Sequence, residues 1–248
     1  MINRIIKHIK WKINYWRKIS LPQIYFAMKL PNKVLSGPFA GMKYITRSTG
    51  SVVLPKLVGT YEDELNGIWE EAKQNKYDAF VDVGAAEGYF ATGVSKYVFN
   101  NQVPVIAFEL TTRGQKQIKE LAALNDINTI TIKGICTKDA LKETLDKKRC
   151  LILMDVEGAE FDLLDNTSID YSNCDILVEV HPMQHDNLES ILVQRFNSSH
   201  SINVIEPKKK ELPSNIDFPE IVYKNKEYLM NEFRGKQSWL WMKTKKSS

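Results

Sequence analysis

The chain has 248 residues, 43% of them hydrophobic and 26% charged, with a formal net charge of +4. That is the composition of an ordinary globular protein long enough to bury a substantial core. It contains no apolar run approaching the roughly 20 residues of a membrane-spanning helix. The three cysteines, Cys136, Cys150 and Cys174, form no CxxC pair, so neither a zinc site nor a disulfide framework is expected. The first residues lack the compact apolar core and cleavage site of a secretory leader, and a cytoplasmic location with reduced thiols is the expectation.

Charge is unevenly spread. The first fifty residues hold ten Lys/Arg and no acid, and the first acid is Glu62; the remainder is net acidic by six. A basic head on an acidic body predicts an anionic partner or a solvated basic face. Residues 2 to 19 read as an amphipathic helix, with Ile2, Ile5, Ile6, Ile9, Ile13 and Trp16 on one face. Residues 1–20 could therefore lie on an anionic membrane at its inner face, or pack on protein.

Pro22 and Pro31 are expected to break this segment. Turns follow at Ser36-Gly37-Pro38 and Gly41, with short strands around Lys43–Thr46 and Val52–Leu54. A helix is predicted from Tyr61 to Gln74, capped by Thr60. Strands Ala79–Val83, Val105–Leu110, Thr129–Lys133, Cys150–Val156 and Asp175–Val180 then alternate with helices Gly88–Val98, Thr112–Leu124, Lys138–Lys147, Glu160–Leu164 and Asn187–Phe196. The strands are continuous apolar runs, as when helices cover both faces of a sheet. Ile202–Ile205 and Trp239–Lys243 are the expected closing strands, separated by a polar excursion over Pro207–Phe218. The prediction is an α/β, Rossmann-like, doubly wound, mostly parallel sheet over residues 61–248, preceded by a basic extension over 1–60.

The most informative stretch is Phe80-Val81-Asp82-Val83-Gly84-Ala85-Ala86-Glu87-Gly88. A strand ends on an acid and passes through a glycine-bounded turn into a helix, at the rim where such sheets bind ligands. A dinucleotide fingerprint would place a second glycine at position 86, which is alanine. Glu109 ends the second strand, where a carboxylate suits both hydroxyls of a ribose. Ile135 with Cys136, after the third strand, could flank an adenine ring. A side chain at Gly84 is expected to block the ligand's path.

A second constellation ends the fourth and fifth strands. In Met154-Asp155-Val156-Glu157-Gly158-Ala159-Glu160, period-two alternation would put Asp155 and Glu157 on one face; in Glu179-Val180-His181 it would do the same for Glu179 and His181. Three carboxylates and an imidazole gathered there could supply a general base, with Asp155, Glu157 and His181 the candidates. Asp155, Glu179 and His181 could instead hold a divalent cation such as Mg2+. The plain structural alternative has Glu157 capping the next helix, Glu160 on the surface and His181 bonded to a loop carbonyl. His185 and Asp186 lie close by in sequence.

Together, Val81-Asp82-Val83-Gly84…Glu87-Gly88, Asp155-Val156-Glu157-Gly158-Ala159-Glu160 and Leu177-Val178-Glu179-Val180-His181 resemble the FkbM-type methyltransferases over roughly residues 78–200. The resemblance implies a class I enzyme that uses S-adenosylmethionine, most often to methylate a hydroxyl of a sugar or natural product. By matching position, Asp82, Gly84 and Glu109 look like cofactor contacts, joined by Ala85, Glu87, Gly88, Leu110 and Ile135. Asp155 and Glu157 look like acceptor-side acids, and the acceptor would be a small molecule or glycan. Rival readings are a non-catalytic, membrane-tethered binding module and a nicotinamide-dependent oxidoreductase. A nucleic-acid partner is not expected, because no Asn/Asp-Pro-Pro-aromatic motif is present.

Overall fold

The computed structural model describes residues 19–181, 187–235 and 237–245. The expected amphipathic helix falls, but for residue 19, outside the described residues, and so do His185 and Asp186. The chain forms two compact units. One comprises the described residues up to Tyr61 together with Lys210–Phe233, and the other comprises Glu62–Lys209 and the chain from Arg234 onward. No helix among the described residues is long and apolar enough to cross a membrane.

In the first unit, helix α1 (Leu21–Ala27) carries Pro22 in its first turn, where a missing N–H costs nothing, so this proline starts a helix rather than breaking one. Two expected strands are absent. Val52–Leu54 opens helix α2 (Val53–Val58), whose Leu54 N–H donates to Gln23 Oε1 at 3.1 Å. Lys43 forms only an isolated bridge with Lys33. β-branched residues favour strands only weakly, and tertiary context has overridden them here. After the polar excursion, two short helices, α9 (Glu220–Lys224) and α10 (Lys226–Leu229), belong to this unit.

The second unit holds the sheet. Helix α3 (Asn66–Ala72) starts five residues later than predicted, after a 3-10 turn over Asp63–Leu65, because Glu62 adopts a left-handed backbone that no α-helix accommodates. Thr60 is therefore too far upstream to cap it. Then follow β1 (Ala79–Val83), α4 (Tyr89–Gly93, running on as a π turn over Val94–Val98), β2 (Val105–Phe108) and α5 (Thr112–Leu124). Next come β3 (Ile130–Lys133), α6 (Lys138–Leu145), β4 (Cys150–Met154), α7 (Glu160–Leu163) and β5 (Cys174–Val180). Helix α8 (Leu188–Phe196), β6 (His200–Ile205) and β7 (Ser238–Thr244) complete the unit.

The seven strands lie in the order β3-β2-β1-β4-β5-β7-β6. β1 to β5 are mutually parallel, while β7 runs antiparallel to both β5 and β6. The predicted doubly wound Rossmann-like architecture is what the chain adopts. β1, β4 and β5 are buried along their whole length, whereas the edge strands β3 and β6 are half-exposed. On one face Val81, Val83, Ile152, Met154, Ile176 and Val178 pack against Leu141, Leu163, Leu192 and Phe196 from α6, α7 and α8. Alternate residues, Asp82 and Glu179 among them, point to the opposite face. The strand order reverses between β1 and β4, which places the ends of those two strands at the rim where ligands bind in such folds.

Candidate active site

Gly84 follows β1 with φ +90°, a conformation L-residues rarely adopt, and it has no room for a side chain: an added Cβ would stand 1.7 Å from the Asp155 carbonyl oxygen. The expectation that a side chain here would block the ligand is therefore corrected, since it would first collide with the Asp155 main chain just past β4. Ala86 is also left-handed, and its N–H donates to Glu109 Oε2 at 2.9 Å. The Gly84 and Ala85 N–H groups both donate to the Phe108 carbonyl, and Gly88 N donates to Ala85 O. The turn thus spends most of its N–H groups on the protein itself.

Glu109 lies just past β2 and is held from three sides. Oε1 accepts from Thr111 N at 2.7 Å and from Thr111 Oγ1 at 2.6 Å, while Oε2 accepts from Ala86. The two-oxygen grip on a ribose expected of Glu109 is reduced accordingly: only Oε2 keeps a lone pair. Thr111 Oγ1 also caps α5 by accepting from Gly114 N, and a Cβ on Gly114 would fall 2.6 Å from both Ala86 O and Glu109 Cγ. Gly114, which the motif reading passed over, lets α5 approach the turn. Leu110 and Ile135, on the loops after adjacent strands β2 and β3, are large apolar side chains left 70% and 63% exposed. Asp82 is buried within β1, and Glu87 is buried completely, which leaves no surface of it for a ligand in this conformation.

The second constellation assembles as expected, but not by strand alternation. β4 ends at Met154, and Glu157 turns left-handed (φ 52°), so period-two reasoning fails for it. Asp155 nevertheless lies one step past the last β4–β5 pair, Met154 with Val178, and so beside Glu179. His181 is the centre. Its Nδ1 meets Glu160 Oε1 at 2.7 Å; its Nε2 faces Glu179 Oε2 at 3.2 Å and Asp155 Oδ1 and Glu157 Oε2 at 3.6 Å each. None of these three is aligned for a hydrogen bond. The structural alternative is corrected on two counts, since Glu160 is fully buried rather than on the surface and His181 bonds to it rather than to a loop carbonyl.

A second cation completes the cluster. Arg234, from the segment leading into β7, contacts Glu179 Oε1 at 2.5 Å and Glu62 Oε1 at 2.8 Å, with Glu64 Oε1 at 3.6 Å. These three partners, Arg234, Glu62 and Glu64, are distant in sequence and belong to no motif, so nothing in the sequence pointed to them.

Burial pushes the Asp155 carboxyl well above the usual carboxylate range, and the neighbouring Glu179 and Glu62 charges push the same way. Burial would also raise Glu179, but His181 and Arg234 outweigh it and hold that carboxyl below its ordinary value. For His181 burial favours the neutral ring, yet the bond to Glu160, the close approach of Glu179 and the surrounding negative charge lift it to about 10. The arrangement pairs a protonated imidazole and a guanidinium with a crowd of acids, and burial among them disfavours ionisation of Asp155.

No family model matches the chain, and neither does any curated protein. Solved structures with a similar fold include precorrin-6y C5,15-methyltransferase from Geobacter metallireducens, at 14% identity and TM-score 0.48, covering 75% of this chain and 90% of that one. An rRNA methylase from Streptococcus thermophilus is 9% identical with TM-score 0.49, covering 73% and 96%. A ribosomal protein L11 methylase from Lactobacillus delbrueckii subsp. bulgaricus is 16% identical with TM-score 0.45, covering 74% and 80%. Likenesses this loose carry no weight for chemistry, which has to come from the site.

Proposed function

We propose that this chain is an S-adenosylmethionine-dependent methyltransferase of the FkbM type, acting on a hydroxyl of a sugar or natural product. One observation carries the choice of cofactor: the Ala86 N–H donates to Glu109 Oε2. In a dinucleotide site the corresponding turn offers its N–H groups to a pyrophosphate. Here the carboxylate already occupies that position, so a phosphate would meet like charge and few spare donors, while a cationic amine and sulfonium would meet attraction.

The residues present suit that group. Leu110 and Ile135 offer exposed apolar faces for a purine, and Glu109 Oε2 keeps a lone pair for a ribose hydroxyl. When bound, S-adenosylmethionine supplies an electrophilic methyl group on a positively charged sulfur. Asp155 touches the cofactor turn through its backbone and presents its carboxyl to the acid cluster. A carboxyl whose proton affinity is raised by burial is the better base near neutral pH, and Asp155 is assigned to receive the acceptor hydroxyl's proton. His181 and Arg234 offset the charge of the surrounding acids, and Glu157, largely exposed, faces the acceptor side.

Calorimetry with S-adenosylmethionine, S-adenosylhomocysteine and NAD tests the reading. Saturable uptake of the first two and none of the third is expected. Uptake of NAD with no heat from either methionine derivative would overturn it.

A further inference from the structure

Asp155, Glu157 and His181 each direct one ligand atom into a common space, the three atoms lying within 4.8 Å of one another. Two acids alone would mean little. The second observation is His181: the side chain is 1% exposed, and its buried Nε2 points at the acids without making a hydrogen bond. On its other side Nδ1 meets the fully buried Glu160 at 2.7 Å. A carboxylate gripping one imidazole nitrogen while the other faces acidic oxygens is the arrangement that orients metal-binding histidines.

We infer that Asp155 Oδ1, Glu157 Oε2 and His181 Nε2 form a binding site for a first-row transition-metal dication of the zinc or manganese type. Bonds of about 2.1 Å in a tetrahedral site place ligand atoms about 3.4 Å apart. The observed 3.6 Å from Nε2 to each carboxylate oxygen needs only a small contraction. An imidazole nitrogen among the ligands disfavours Mg2+, which prefers oxygen donors and water. The atoms that gather in one space come from Asp155, Glu157 and His181, so Glu157 stands in the set where Glu179 was expected, and Arg234 holds Glu179 Oε1 at 2.5 Å. Ligation through Oδ1 leaves Asp155 Oδ2 for proton transfer, so the site is compatible with the proposed chemistry without depending on it. The nitrogen–metal bond takes the imidazole with Nε2 unprotonated, any proton there passing to the buffer.

The test titrates the full chain, stripped with a chelator, with ZnCl2 and separately with MnCl2, by calorimetry. One ion per chain is expected. Glu157→Ala, at a side chain 73% exposed, should weaken binding at least tenfold with an unchanged circular dichroism spectrum. Glu143→Ala, an exposed acid on α6, should change nothing. The site is refuted if neither ion binds below about 1 mM, or if Glu157→Ala binds like the parent. S-adenosylhomocysteine titrated into the same stripped protein reports on the cofactor reading separately.

Discussion

Gly84 and Asp155 are in direct backbone contact: a Cβ on the glycine would stand 1.7 Å from the aspartate's carbonyl oxygen, and Asp155 N donates to Val83 O at 2.9 Å. The turn after β1 and the acid cluster are thus joined through the main chain at the ends of β1 and β4. Gly84→Ala must either part these strands or abandon the turn, and it adds a Cβ at φ +90°. A loss of about 3 kcal/mol or more is expected, read as a fall in the urea midpoint. A variant as stable as the parent would mean that the two sites are not coupled in this way.

Glu109→Gln keeps the shape but removes the charge that Ala86 and Thr111 hold. Charged hydrogen bonds contribute about 1.5–3 kcal/mol, so S-adenosylhomocysteine affinity should fall about 10- to 100-fold. Calorimetry gives the answer directly. Unchanged affinity would remove Glu109 from the cofactor site.

Asp155→Asn separates binding from chemistry. Turnover should drop by about 10²- to 10⁴-fold, the usual contribution of a positioned base, while S-adenosylhomocysteine affinity stays within about threefold. If affinity is lost and turnover per bound cofactor survives, Asp155 belongs to the cofactor rather than to the acceptor.

Arg234→Met leaves Glu62 and Glu179, both buried, without their shared cation. Removing one partner of a buried ion pair costs about 3–5 kcal/mol. Glu179 titrates below its ordinary value in the fold, so the stability it contributes is present above about pH 4.5 and disappears as the pH falls through the folded value. The difference between parent and variant should therefore be largest near neutrality and should shrink in acid. Chemical denaturation at pH 7 and pH 4 measures it.

His181 gives the opposite slope. Its pKa rises from 6.5 to about 10 on folding. Its contribution is complete below pH 6.5 and is lost between there and pH 10, because the unfolded chain releases its proton first. In chelator-treated protein the melting temperature should decline over that window, by at least about 2–4 °C for each kcal/mol lost. His181→Asn should flatten the decline; a parent profile already flat would contradict the assigned protonation.

The parallel core was legible because both-face burial writes itself as unbroken apolar runs, as in Phe80-Val81 and Leu151-Ile152-Leu153. Glu109 and Asp155 were legible because each follows such a run. Glu157 was found for the wrong reason, since its backbone leaves the strand before alternation could place it. Val52 and Val53 looked like a strand because propensity was read without the Gln23 that receives their helix. Arg234, Glu62 and Glu64 had no local signature, being joined only by a pairing of charges across more than a hundred residues. Gly114 was hidden for another reason: nothing in a sequence shows which helix must come close to which turn.

The placement of β7 between β5 and β6 has a bearing on how the protein is made. A ribosome finishes β6 well before it reaches Arg234, yet among the described residues β6 pairs only with β7 and cannot join the sheet until that later strand arrives. Until then the nascent chain carries Glu62 and Glu179 without their guanidinium partner, and the sheet exposes the edge of β5. β7 is thus the strand that closes the sheet, and the acid-rich rim gains its guanidinium only once the chain from Arg234 onward has been made.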